Sequence, residues 1–194
     1  VSAESSPRGR PPSTSREAID RVALALFAAR GFEQTTVDDV AAALGVGRRT
    51  VFRYAASKND LVWGDFGVVL TRLRADLASQ GETVAPIDAV AAAAVSSNRY
   101  PAAALPDLRV RMTLITTVPA LQAHSALRYA DWRAVIAEYV AGRRHEPAGD
   151  LVPQTIAFAA LGASMAAFSV WVREGGELEP RLRTAFQALA DGFR

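Results

Sequence analysis

Apolar residues recur along this chain at helical spacing. Ile19, Val22, Ala23, Leu26 and Phe27 fall at i, i+3, i+4, i+7 and i+8, which makes one stripe of a helix over 14–30. Thr14 and Glu17 stand three apart and predict a capping box at its start; Gly31 ends it. A shorter helix is predicted over 37–44, "VDDVAAAL". Thr36 caps it, and Asp38 and Asp39 sit in its first turn, where the peptide dipoles favour anions. Gly45 stops it, and a third helix follows over 47–54. A fourth opens at Ser57, with Asp60 three residues on, and runs to about 79. After a break at 81–86 come longer, more apolar helices near 86–99, 105–117, 120–142, 151–174 and 178–193. Pro101, Pro106, Pro119, Pro147, Pro153 and Pro180 punctuate them. Val, Ile and Tyr do not cluster into alternating runs, and no internal repeat is visible. The expected fold is all-α: three short helices, one long connecting helix, then a helical bundle.

Composition narrows the function classes. The chain has 194 residues, 50% of them hydrophobic, enough for a sizeable core. With no Cys, a disulfide framework, an iron–sulfur cluster and a Cys-zinc site are excluded. A reducing compartment is consistent with this, and a cytoplasmic location is expected. The net charge is only +2, so no overall basic field points to a nucleoid-type DNA coat. The first residues, "VSAESSPRGRPPSTS", are polar and Pro-rich and do not read as a signal peptide. Residues 1–13 are expected to form a disordered basic arm. Residues 151–172 carry no charge and are long enough to span a bilayer. Their content of Ala, Ser, Thr, Gly and Gln favours instead a fully buried helix at a core or subunit interface, with no membrane partner.

The stretch "VDDVAAALGVGRRTVFRY" has the form of a helix-turn-helix. Val40, Ala41 and Leu44 give the first helix a narrow apolar face, Ala41 and Ala42 permit close approach, and Val46 is expected to plug the space between the helices. On a wheel of 100° steps, Val51, Phe52 and Ala55 share an arc of roughly 100°, the packed face. Arg49, Arg53 and Thr50 share an arc of about the same width on the opposite side, with Tyr54 flanking it and Arg48 at the helix start. A basic, polar helix face fits the major groove, where Arg reads guanine O6 and N7. A solvated face on a structural helix has the same pattern. The two glycines of "GVGRRT" do not make a phosphate loop, because the third Gly and a preceding strand are missing.

The N-terminal third resembles the TetR family of bacterial transcriptional regulators. Phe27, Gly31, Thr35, Thr36, Val40, Ala41, Gly45, Val46, Thr50, the aromatics at 52 and 54, Lys58 and Leu61 carry the resemblance over 14–61. It implies a homodimer of all-α subunits that binds a palindromic DNA operator and a small-molecule effector. The implied domains are the arm at 1–13, a DNA-binding domain at 14–60 and a ligand-binding and dimerisation domain at 61–194. Thr36 matches a phosphate-contact position, Arg48, Arg49 and Thr50 match base-reading or nearby positions, and Tyr54 and Lys58 match phosphate contacts. Phe52 stands where the family usually has Tyr, and Ala55-Ala56 replaces a common Phe-Pro pair, which reduces the packing under helix three. "GVGRRTVFRYAASKNDLVWGDF" is further similar to regulators found with mycofactocin biosynthesis genes, which implies an acyl-CoA-type effector.

Other signals are weaker. "PRGRPP" resembles the core of an AT-hook, whose arginines, here Arg8 and Arg10, suit a narrow A·T minor groove. Candidate pocket residues are Trp63, Phe66, Leu70, Arg109, Met112, Ile115, Trp132, Phe158 and Met165; the apolar ones are more often plain core, and an arginine is more often solvated or ion-paired. Arg109 and Arg111 are candidates for an anionic head-group. The last two helices are expected to make the dimer, with Phe168, Trp171, Leu182, Phe186, Leu189 and Phe193 at its centre. His124 and His145 have no partner at metal-ligand spacing, so neither a metal nor a cofactor is expected. An enzyme would need a nucleophile with its base, a metal cluster or a cofactor loop, and the sequence offers none. A helical small-molecule-binding protein or enzyme without a DNA-specific role is the rival reading.

Overall fold

A computed structural model describes residues 14–192, which form ten α-helices and one short 3-10 turn and contain no strand. The basic arm with Arg8 and Arg10, and Phe193, lie outside the described residues. Two compact units divide the chain between Gly64 and Asp65, four residues beyond the boundary expected from the sequence.

The first unit holds α1 (Arg16–Arg30), α2 (Val37–Leu44), α3 (Arg48–Phe52) and α4 (Lys58–Trp63). Helix α1 starts two residues later than its sequence suggests. Ser15, not Thr14, is its cap, with the hydroxyl accepting from the Ala18 N–H at 3.2 Å. Ile19, Ala23, Leu24 and Phe27 are buried on its inner face. The Phe27 ring packs against Phe32 with centroids 5.1 Å apart. Thr35 is wholly buried, and its hydroxyl donates to the Gly31 carbonyl at 2.9 Å. That bond fixes the loop entering α2. Val40, Ala41, Val51, Ala55, Leu61 and Val62 complete the core.

The second unit holds α5 (Phe66–Ala78), α6 (Pro86–Ser97), the 3-10 turn Ala102–Ala104, α7 (Leu105–Thr117), α8 (Pro119–Arg144), α9 (Leu151–Glu174) and α10 (Leu178–Ala190). The predicted single helix from Ser57 to 79 is two helices. Gly64 adopts φ 65° and ψ −155°, a region only glycine enters without strain, and the helical bonds stop there. The apolar residues on both sides hid this break. Leu73 and Leu77 of α5, Val90 and Ala93 of α6, Ile115 of α7 and Leu121, Val135, Ile136 and Val140 of α8 fill the core. Helices α9 and α10 close it with Ala157, Ala160, Trp171, Leu182 and Phe186. The Trp171 indole N–H donates to the Gly176 carbonyl at 3.0 Å and ties the α9–α10 turn to α9. Arg143 of α8 donates to the Glu82 and Val84 carbonyls at 2.5 and 2.6 Å, pinning the loop between α5 and α6.

Helix α9 departs from expectation. It has a mean hydropathy of 1.7 over its most apolar stretch, yet only 33% of that stretch is buried. Pro153, Ala157, Ala160, Ser164, Ala167, Phe168 and Trp171 face inward. Leu151, Thr155, Phe158, Gly162, Met165 and Ser169 repeat on the opposite side at the same alternation of four and three residues, and all are exposed. One face is core and the other is open, so the helix is not fully buried within this chain.

Candidate nucleic-acid interface

The turn between α2 and α3 follows from its glycine. Gly45 sits at φ 65° and ψ 29°, the left-handed conformation, and its N–H reaches back to the Ala41 and Ala42 carbonyls. The Val46 N–H also bonds the Ala41 carbonyl, at 3.0 Å. Val46 itself is half-buried, so it plugs the turn only in part, and Ala42 faces solvent. Helix α3 is five residues long. A helix that short is not stable by itself, and here its underside is anchored by Val51 and Ala55, 1% and 4% exposed.

Phe52 corrects the helical-wheel placement. It lay at the edge of the packed arc, and it is 38% exposed. No residue of the short helix continues beyond it, and the Arg48 guanidinium covers its ring from 5.3 Å. The outward face carries Arg48, Arg49 and Arg53, all exposed, with Thr50 half-exposed.

These side chains are not equally available. The Arg49 side chain makes no hydrogen bond or ion pair among the described residues and is exposed. Arg48 is paired with Asp38 at 3.0 Å. The Arg53 guanidinium lies 5.0 Å from the Tyr54 ring centroid. The Tyr54 hydroxyl donates to the Thr14 carbonyl at 2.9 Å. Lys58 opens α4 with Ser57 as its cap, and its ammonium lies 4.1 Å from the Phe32 ring centroid. Thr36 forms a full capping box with Asp39: its hydroxyl accepts from the Asp39 N–H, and its own N–H donates to the Asp39 carboxylate at 2.7 Å. The Thr36 hydroxyl and then the Thr36 backbone N–H hold the Asp39 carboxyl below its ordinary range. The α3 face thus offers exposed guanidinium donors, groups that meet phosphates and base edges, while the Thr36 hydroxyl at the α2 N-terminus donates to the Asp39 carboxylate at 2.6 Å.

Sequence reasoning missed three supports of this site. Thr35 is a buried anchor, Asp38 is the partner of Arg48, and Arg16 bonds the Tyr54 carbonyl. Thr35 and Asp38 had a position but no visible partner, because their contacts cross turns. Arg16 read as one more charge on α1, and no local signal marks it.

In the second unit Phe66, Ile115 and Trp132 are buried, while Leu70, Arg109 and Met112 are half-buried. Trp63 is buried but belongs to the first unit. Phe158 and Met165 do not line an interior pocket. They are 56% and 45% exposed on the open face of α9, with the Arg133 guanidinium 3.7 Å from the Phe158 ring centroid. The expected dimer residues are corrected in the opposite sense. Phe168, Trp171, Leu182 and Phe186 are core of this chain, because α9 and α10 pack on each other; Leu189 is half-buried. Arg109 lies 4.6 Å from the Trp171 ring centroid, a cation–π contact that occupies one of its faces. An open cleft of about 720 Å3 runs between α6 and α10, with Asp88, Ala92, Val95, Thr184 and Gln187 in its walls. No metal-ligand cluster occurs among the described residues.

Comparison with known proteins places this geometry. Residues 19–62 match the family described as bacterial regulatory proteins, tetR family. Residues 84–194 match the MftR C-terminal domain. The chain is 41% identical over 186 residues to a Mycobacterium tuberculosis protein named as the mycofactocin biosynthesis transcriptional regulator MftR, covering 95% of this chain and 94% of that one. Among solved structures it is similar to Thermus thermophilus FadR, a TetR-family repressor in complex with lauroyl-CoA. There the TM-score is 0.60 at 20% identity, over 93% of this chain and 95% of that chain. A SmeT–triclosan complex is similar at a TM-score of 0.64 and 17% identity, over 91% and 90% of the two chains.

Proposed function

Because the chain belongs to the TetR family of bacterial transcriptional regulators and carries the MftR-type C-terminal domain, we propose that it is a homodimeric repressor of a palindromic operator, released by a hydrophobic acyl-CoA-like effector. Residues up to Gly64 bind DNA, and residues from Asp65 bind effector and dimerise. Each subunit lays α3 in a major groove. Arg49 reads base edges, Arg48, Arg53 and Thr50 lie beside it, and Thr36 and Lys58 serve the backbone. The observation that carries this reading is the exposed Arg49, whose side chain has no partner among the described residues, on a short helix whose underside is locked by Val51 and Ala55. Arg8 and Arg10 of the arm extend the contact into a neighbouring minor groove.

The second copy docks on the open face of α9. Leu151, Phe158 and Met165 supply apolar area there, and Gly162 permits close approach of a second helix. This face replaces the core residues first expected at the interface. The effector assignment draws on the FadR relative, whose structure holds lauroyl-CoA. Half-buried Arg109 is the cation offered to its anionic end. Effector binding acts on the reading units through the chain at α4, Gly64 and α5, changing the spacing of the two α3 helices. The work of such a regulator is cytoplasmic.

Footprinting on the promoter beside the gene tests this. Two protected half-sites, on one side of the duplex and about 34 Å or a multiple apart, are expected. Lauroyl-CoA should remove the protection, and lauric acid or coenzyme A alone should not. Protection without dyad symmetry contradicts the dimeric reading.

A further inference from the structure

Tyr54 matched a phosphate-contact position, yet its polar atoms are engaged within the protein. Its hydroxyl donates to the Thr14 carbonyl at 2.9 Å, and Arg53 Nη2 approaches the same oxygen at 3.4 Å. Its carbonyl accepts from Arg16 Nη1. Arg16 is itself oriented by Asp20, one turn along α1, whose two carboxylate oxygens lie 3.0 and 3.1 Å from Nε. The Arg16 and Asp20 side chains are only 21% and 13% exposed. An arginine so covered and so bonded is not a free phosphate ligand.

The place of this cluster in the fold matters. Helix α3 has no side-chain cap at its start, where Gly47 stands, and it ends after five residues. Its last carbonyls carry the negative end of the helix dipole, and the Arg16 cation is placed at that end. Thr14 and Arg16 at the start of α1 therefore grip Tyr54 from two sides, just past the C-terminus of the reading helix.

We propose that Asp20, Arg16 and Tyr54 form a latch that sets the angle of α3, and that Tyr54 and Arg16 are positioning residues for base reading and not phosphate contacts. This rests on α3 being the DNA-reading helix. A latch acts on discrimination: tilting α3 misplaces Arg49 on the operator bases while leaving general attraction to phosphates intact. A lost phosphate contact instead weakens all DNA alike, and for a cation it also flattens the salt dependence.

The test measures affinity for the operator duplex and a scrambled duplex over a salt series, for wild type, Tyr54→Phe, Arg16→Gln and Arg16→Lys. Thermal melting verifies that each variant is folded. Tyr54→Phe keeps the ring and removes only the hydroxyl. It should lower operator affinity about two- to tenfold, the worth of one hydrogen bond, and leave scrambled DNA unchanged. Arg16→Gln should do the same with an unchanged salt slope, and Arg16→Lys should recover part of the loss. Equal weakening on both duplexes, a slope shallower by about 0.9 for Arg16→Gln, or no effect of either variant would overturn the latch. Absence of operator preference in the wild type would instead remove the DNA-reading assignment itself.

Discussion

The Arg48 guanidinium is ion-paired to the Asp38 carboxylate at 3.0 Å, so a cation of α3 is held by α2. Both side chains are more than half exposed, 60% and 62%, and an exposed pair of this kind contributes little to stability. Its consequence is for binding. Asp38 removes one positive charge from general attraction to DNA. Asp38→Asn should leave the melting temperature nearly unchanged, tighten binding to scrambled DNA and steepen the salt slope by up to about one unit. Anisotropy titrations on a salt series measure this, and an unchanged slope would show that Arg48 reaches phosphate despite the pair.

Arg49 and Lys58 should divide in effect. Arg49→Ala removes the one cation on α3 that has no partner among the described residues, and it should cost about 1–3 kcal/mol of discrimination at the base it contacts. Lys58→Ala should weaken operator and scrambled duplexes together and flatten the salt slope. A panel of single-base operator changes separates the two; matching profiles for both variants would sink the division.

Gly64 marks the end of α4 at φ 65° and ψ −155°. Any residue with a Cβ is strained there, so Gly64→Ala should destabilise the protein by about 1–3 kcal/mol. Urea denaturation followed by circular dichroism measures the loss. Full stability in the variant would mean that α4 and α5 join into the single helix the sequence first suggested.

The open face of α9 should be the subunit interface. Phe158→Glu together with Met165→Glu places two charges on a face that is exposed in one chain, so the monomer should fold as before. Sedimentation should then report a monomer, and operator binding should fall with the loss of the second half-site. A dimer that survives these changes places the interface elsewhere.

Glu179 ties α10 to Arg99, two residues beyond the end of α6. Hydrogen bonds first from Arg99 and then from Arg183 hold its carboxyl below the ordinary range. A lowered folded-state pKa stabilises above the unfolded value and loses that contribution as pH falls through the folded one. Melting temperature followed from neutral pH into acid should therefore fall less steeply in Glu179→Gln than in the wild type. Parallel acid limbs would show that the pair is inert.

The reading domain was legible because its determinants are local. A capping residue at Thr36, the left-handed Gly45 and the three-four spacing of α1 each act within a few residues, and the structure follows them. The misreadings come from features whose meaning is set elsewhere in the molecule. Gly64 breaks a helix that its apolar neighbours suggest is continuous. Phe158 and Phe186 look alike in sequence; one is open and the other is core, because α8 and α10 pack on one side of α9 and leave the other open. Arg16 acts on Tyr54, a residue far along the chain, and nothing in its own neighbourhood announces that bond.

Sequence reading by α3 is the property on which the proposed regulation depends. Its most direct test is equilibrium binding of the wild-type protein to a palindromic duplex from the adjacent promoter and to a scrambled duplex of equal length, across a salt series. Operator binding should be tighter by a factor of about 10^3 or more, with both affinities falling as salt rises. Equal, weak binding to the two duplexes at every salt concentration would contradict it.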